Sequence, residues 1–255
     1  MAINLRRTGT LASNGVKFIV YGPSGAGKTT LIKTLPNPII LSAESGLLSI
    51  QDSNLPYIEI NSMDDLTEAF QWAANSDEAK GFDSIALDSI SEIGEVVLNY
   101  EKKIAKDPRQ AYGALSEQMT DIIRAFRDLP SKHVYFSAKL EKSQDEMGRL
   151  LYNPSMPGKS LTQALPYLFD EVLALRVERD AEGQAQRAIM CDSDGVWLAK
   201  DRSGKLDPWE APDLGAIIAK IGGGACASPN SQPNGWKPRP ARHRPPKTGA
   251  TLRTR

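Results

Sequence analysis

Residues 22–30 read GPSGAGKTT and follow the short apolar run VKFIVY at 16–21. Gly22, four residues, then Gly27, Lys28 and Thr29 fill every fixed position of the phosphate-loop pattern. The context also fits, with a β-branched strand signal before the loop and a helical TTLIKTL after it, stopped by Pro36. Glycines let backbone N–H groups turn inward on phosphates, so residues Gly22, Pro23, Ser24, Gly25, Ala26, Gly27, Lys28, Thr29 and Thr30 form the expected nucleotide cradle. Lys28 places a point charge between the β- and γ-phosphates, and the Thr29 hydroxyl is a ligand for Mg²⁺. ATP with Mg²⁺ is the expected cofactor pair.

Outward from the loop, strand and helix signals alternate. PIILSA (38–43), YIEI (57–60), SIALD (84–88) and HVYFSA (133–138) read as further strands. Ser62 caps a helix with Asp65 three residues on, and that helix buries Leu66, Ala69, Phe70 and Ala73. Two longer helical patterns follow. One carries Ile93, Val96, Val97, Tyr100 and Ile104, the other Leu115, Met119, Ile122, Ile123, Phe126 and Leu129, with AKDPRQAYG (105–113) as a loop between them. Strands separated by helices imply parallel pairing with right-handed crossovers. Residues 141–160 read as a polar, mobile loop. EVLALRV, AQRAIM and GVWLAK then suggest antiparallel strands that extend the sheet, and PDLGAIIAKI a last helix. The expected fold is α/β: a mostly parallel twisted sheet with helices on both faces and a C-terminal antiparallel extension.

The 255 residues suit one large domain with a tail. Net charge is zero, yet residues 222–255 hold seven Lys and Arg and no acidic residue. The body before them therefore carries 24 basic against 31 acidic residues. Six prolines in that stretch and few large apolar residues read as a disordered basic tail, with a core at 1–221. Such a tail suits a polyanion or acidic surface, or simply keeps the protein in solution. No apolar run is long enough to span a bilayer, and the N-terminus lacks an apolar signal core. A cytoplasmic protein with no membrane partner is expected. Cys191 and Cys226 match no metal spacing.

A phosphate loop needs a second, metal-side carboxylate. Asp88 ends an apolar strand and would emerge beside the loop, to hold Mg²⁺ through water. The alternative is a strand-end Asp capping the next helix, a task Ser89 can also perform. Many mechanical ATPases carry a Glu directly after this Asp, but here Ser89 follows. Glu44, just past PIILSA, is the replacement if strand two neighbours the loop strand. A carboxylate there orients water for in-line attack, and the alternative is a solvated Glu in a turn.

Loop, LSAES, IALDSIS, DPRQAYGALSEQMTDIIRAFRDLP, HVYFSAKLEK, MPGKSLTQALPYLFDEV and LAKDRSGKL together resemble a RecA-type ATPase core. They most resemble the compact phage-encoded AAA-like ATPases, whose members include RecA-core single-strand annealing proteins. The resemblance covers roughly residues 3–206. It implies that Glu44 activates water with Lys28 as its catalytic partner. It also implies that Ser137 and Lys139 stand at the γ-phosphate sensor, though the usual amide side chain is missing. Subunits of that fold complete a neighbour's site with basic residues. Lys200 and Arg202 are candidates here, or ordinary surface charge. The resemblance further implies single-stranded DNA as partner, a homo-oligomer, a single-strand DNA-binding protein as a further partner, and the bacterial host's cytoplasm as location. The DNA loops would be 102–113, with Lys106, Arg109 and Tyr112, and 141–160, with Arg149 and Lys159. Glu141, Asp145 and Glu146 dilute this signal, and mixed-charge loops are often only solvated. Two other readings stand beside this one. One is an ATP-gated replication or packaging accessory. The other is a small-molecule kinase, disfavoured because 141–160 offers Arg149 alone as a lid arginine.

Overall fold

The computed structural model of the chain describes residues 15–44, 46–180 and 182–222. Among them the strands form one sheet. β1 (Lys17–Gly22), β2 (Pro38–Ser42), β3 (Tyr57–Glu59), β4 (Ser84–Asp88) and β5 (His133–Gln144) come first in the chain. They are followed by β6 (Leu150–Ser155), β7 (Glu171–Arg179), β8 (Ala185–Met190), β9 (Lys200–Asp201) and β10 (Trp209–Glu210). The order across the sheet is β10-β8-β7-β1-β5-β4-β2-β3, with β6 paired to β5 and β9 to β7. From β3 to β7 every pairing is parallel, and β6, β8, β9 and β10 add antiparallel partners. This is an α/β phosphate-loop core with an antiparallel extension, although β7, which carries EVLALRV and was expected within that extension, runs parallel to β1.

The central strands are apolar along their whole length because both faces are covered. β1, β2 and β4 are buried from end to end. Side chains alternate between the faces. Ile19, Tyr21, Ile85, Leu87, Val134 and Phe136 pack against residues of α2 (Met63–Asn75), α4 (Ile90–Ile104) and α5 (Pro108–Arg127). Phe18, Val20, Ala86, Tyr135 and Leu173 face the other way, onto α1 (Lys28–Leu31) and α7 (Leu214–Gly222). Two short helices, α3 (Asp77–Lys80) and α6 (Lys159–Ala164), complete the set. Ser62 caps α2 by accepting the Asp65 N–H at 3.1 Å, and Asp65 in turn accepts the Asn61 N–H at 2.9 Å.

Three sequence expectations change. First, β2 does not neighbour β1, because β4 and β5 stand between them. Second, residues 105–113 are mostly helix. Asp107 caps α5 by accepting from the N–H groups of Arg109 and Gln110, and Pro108 occupies the first turn, where its missing N–H costs nothing. Third, residues 141–160 are not a loop. β5 runs on to Gln144 and returns through a turn at 145–149 as β6, with Lys142 opposite Tyr152. The hairpin reads as polar because β5 leaves the buried layers after Ala138 and its later residues are largely wet. Of GVWLAK, only Lys200 enters a strand, although Trp197 makes a single bridge to Tyr152. Residues 1–14, the basic tail from residue 223 and Cys226 lie outside the described residues. Cys191 is a buried free thiol, pushed up by burial. No described helix is long and apolar enough to cross a membrane.

Candidate nucleotide site

β1 delivers the loop at the carboxyl edge of the sheet. A Cβ on Gly22 would stand 2.7 Å from the Leu175 carbonyl oxygen of β7, closer than real contacts allow. Gly27 has φ +105°, a backbone state L side chains rarely adopt. The loop closes on itself as the Ala26 N–H donates to the Pro23 carbonyl at 3.2 Å. Lys28 Nζ donates to the Gly22 and Pro23 carbonyls at 3.0 and 3.2 Å, so its ammonium is folded over the cradle. Burial lowers the Lys28 pKa, with Asp88 and then Glu44 working against that shift. Tyr135, fully buried under the loop, donates its hydroxyl to the Lys28 carbonyl at 2.8 Å and anchors the start of α1. Ser24, Gly25 and Thr30 are exposed, open to an incoming phosphate chain.

Asp88 sits at the end of β4 and is 2% exposed. Its Oδ2 accepts the Thr29 hydroxyl at 2.7 Å, and its Oδ1 accepts the buried Ser137 hydroxyl from β5. Burial raises its pKa, and the two hydroxyls oppose the rise. Its carbonyl oxygen accepts the N–H groups of Ala43 and Glu44 at 2.9 and 3.3 Å, which draws the end of β2 to the same point. The Asp88–Ser89 peptide is cis. Ser89 caps α4 and donates its hydroxyl to Glu44 Oε1 at 2.5 Å. Glu44 therefore reaches the site through the pairing of β2 with β4 and the Ser89 hydroxyl, not by adjacency to β1. The residue that stands where other ATPases carry a Glu is the one that holds the Glu supplied from β2. Glu44 also borders an open cavity of about 570 Å³ lined by Ile40, Leu48, Tyr57 and Glu59.

One hydroxyl and one carboxylate meeting beside a phosphate cradle suit Mg²⁺. That ion takes few protein oxygens and keeps water and phosphate for the rest. Thr29 would hold it directly and Asp88 through water. Among the described residues no cluster of three or more His, Cys, Asp or Glu offers a denser metal cage.

The remaining candidates spread out. Lys139 pairs with Glu92 of α4 and lies within electrostatic reach of Lys28. Lys200 Nζ donates to the Pro166 and Phe169 carbonyls, both at 2.7 Å, and Arg202 pairs with Asp170 at 2.8 Å. β9 joins β7 at Glu171–Val172, which lies beside Phe18–Ile19 of β1, so both cations stand at the edge of the sheet away from their own loop. Lys106, Arg109 and Tyr112 are exposed around the start of α5, and Lys159 is exposed at the start of α6. The Tyr112 ring packs over Gly158, where a Cβ would lie 3.6 Å from Tyr112 Cδ1. The two segments thus meet at one surface. Arg149 pairs with Asp145 across the β5–β6 turn at 2.6 Å.

Two neighbours of the loop carry no sequence signal. Tyr135 reads only as an apolar strand residue. Arg187 of β8 sits in AQRAIM as ordinary strand polarity, yet it donates Nε to the Ala26 carbonyl at 2.9 Å.

Strand, loop, helix, and a strand-end Asp joined to the loop threonine define a phosphate-loop ATPase core. More narrowly, the chain belongs to the AAA domain family, whose model matches residues 14–203, about three quarters of its length. A KaiC-like protein from the hyperthermophilic archaeon Pyrococcus horikoshii OT3 is a similar solved structure. It has a TM-score of 0.38 and 11% identity over 69% of this chain and 78% of that one. A search of curated proteins finds no match.

Proposed function

We propose that this chain hydrolyses ATP with Mg²⁺ and works on single-stranded DNA in strand annealing or recombination, as a phage-encoded, self-assembling protein. The observation that carries the hydrolytic half is the chain of contacts Thr29–Asp88 and Ser89–Glu44 beside Lys28. Glu44 is a carboxylate on the same cluster as the metal-side Asp, so it can take a proton from a water lined up on the γ-phosphate. Ser137 binds Asp88, which couples β5 to the metal-side group.

The DNA half rests on the resemblance in sequence and on the surface where Tyr112 meets Gly158, with Arg109 and Lys159 exposed nearby. An exposed aromatic among cations suits stacked bases on a phosphate track. Arg202, 57% exposed at its side chain, is better placed than Lys200 to serve a neighbouring subunit, because the Lys200 ammonium is already held by two carbonyls. A single-strand DNA-binding protein is the further partner proposed. The test is the ATPase rate with and without single-stranded DNA. Stimulation several-fold or more supports the reading. Unstimulated turnover removes the DNA half, and absence of turnover under both conditions removes the hydrolytic half.

A further inference from the structure

The groups assembled for metal and water come from strands on one side of β1, namely β5, β4 and β2. Arg187 arrives from the other side. It lies on β8 opposite Val177 of β7, and its side chain crosses onto the loop. Its Nε donates to the Ala26 carbonyl at 2.9 Å, and a Cβ on Gly27 would stand 3.6 Å from that nitrogen and 3.8 Å from Cδ. Arg187 is exposed, and among the described residues it makes no ion pair and no other hydrogen bond. An arginine held above a phosphate cradle by one neutral carbonyl keeps its two terminal nitrogens as a fork for an oxyanion.

The backbone of such a loop cradles the α- and β-phosphates, while the lysine serves the β- and γ-phosphates. Arg187 stands over Ala26 and Gly27, on the flank opposite Asp88 and Glu44. We propose that Arg187 binds the α/β diphosphate of the nucleotide, as a second cation supplied by the same chain. This rests on the ATP reading above. Because ADP and ATP share the diphosphate, Arg187 contributes equally to both. A lysine in its place keeps the charge but not the fork, so it restores only part of the affinity.

The experiment is calorimetric titration of Mg-ADP and Mg-ATP into the full chain and its R187A, R187K and K28A variants, with inorganic pyrophosphate as a competing probe. Arg187→Ala is expected to weaken ADP, ATP and pyrophosphate alike, by about tenfold or more, with R187K in between. Thermal unfolding without nucleotide should match the wild type, since Arg187 is exposed and holds one carbonyl. Unchanged affinities in R187A, with K28A defective, overturn the Arg187 assignment and leave the ATP reading standing. Loss confined to ATP moves Arg187 to the γ-phosphate and overturns it too. Loss for the nucleotides with pyrophosphate unaffected places it on the sugar or base, with the same result. A wild-type chain that binds neither nucleotide overturns the ATP reading and this inference together.

Discussion

The Thr29 hydroxyl donates to Asp88 Oδ2 at 2.7 Å across 59 residues of sequence. That bond joins the first turn after the phosphate loop to the end of β4. The other Asp88 oxygen holds Ser137 of β5, so one buried carboxylate ties a helix start and two strands. Asp88→Asn keeps the size but replaces an acceptor with a donor that faces a hydroxyl. Mg²⁺ dependence of nucleotide binding should weaken by about 10–100-fold, read from magnesium titrations at fixed nucleotide. Ser137→Ala removes one donor to a buried carboxylate and should cost about 1–2 kcal/mol in urea unfolding. Wild-type behaviour in both variants would refute the role given to Asp88.

Lys28 rests on the carbonyls of Gly22 and Pro23, two neutral partners. A triphosphate offers a charged one in their place. Lys28→Ala should therefore abolish measurable Mg-ATP binding while leaving thermal stability near wild type. Equilibrium binding of a fluorescent ATP analogue checks this, and retained affinity contradicts the phosphate-loop assignment.

Glu44 and Ser89 make a second separable pair, with the hydroxyl 2.5 Å from the carboxylate. Glu44→Gln keeps the shape and loses the base. Binding of Mg-ATP should persist while turnover falls by about 10²–10⁴-fold. Ser89→Ala leaves the carboxylate in place without its positioning donor, and should lower turnover less than E44Q does. Equal rates in E44Q and wild type exclude Glu44 as the base.

Stability carries a pH signature away from the site. Glu171 of β7 is buried opposite Asp201 of β9. Burial, then the neighbouring Asp201 carboxylate, pushes its pKa up from 4.5 to about 8. The folded state holds that proton more tightly than the unfolded chain, so Glu171 lowers stability as pH rises from about 4.5 to about 8. The total is roughly a few kcal/mol. Glu171→Gln should flatten that part of the curve and be the more stable protein at pH 8. Parallel denaturation curves for the two proteins across this window would contradict it.

Much of this site was legible locally. The loop, the strand before it and the strand-end Asp88 are encoded in runs of a few residues, and each needs only its immediate neighbours to be read. What depends on strand order was not legible. The role of Glu44 depends in the sequence on whether β2 neighbours β1; it does not, and its route to the site runs through the Asp88 carbonyl and the Ser89 hydroxyl, contacts between β2 and the end of β4. The start of α5 is written in Asp107 and Pro108, a cap and a first-turn proline, but these residue types suit a loop equally well. The β5–β6 hairpin leaves no alternating apolar pattern, because its positions from Lys139 to Ser155 are exposed or half-buried, Pro154 apart. Arg187 has no local signature at all, since its contact with Ala26 spans 161 residues.

The basic tail gives a prediction that needs only salt. Removing residues 223–255 deletes seven of the chain's 31 basic residues and none of its acidic ones. If the tail holds DNA, the truncated protein should bind single-stranded DNA more weakly, with a shallower dependence of affinity on salt. An identical slope assigns the tail to solubility alone.

Gly22 has a meaning beyond the nucleotide. The fold alone already forbids a side chain there, because the Leu175 carbonyl of β7 lies 2.7 Å from where a Cβ would stand. The first glycine of the loop signature is thus a record of which strand lies next door. A rearranged chain that moved β7 away would lose the steric reason for that glycine while keeping the chemistry of the loop. A short motif read for its ligand also carries a line of the sheet's blueprint.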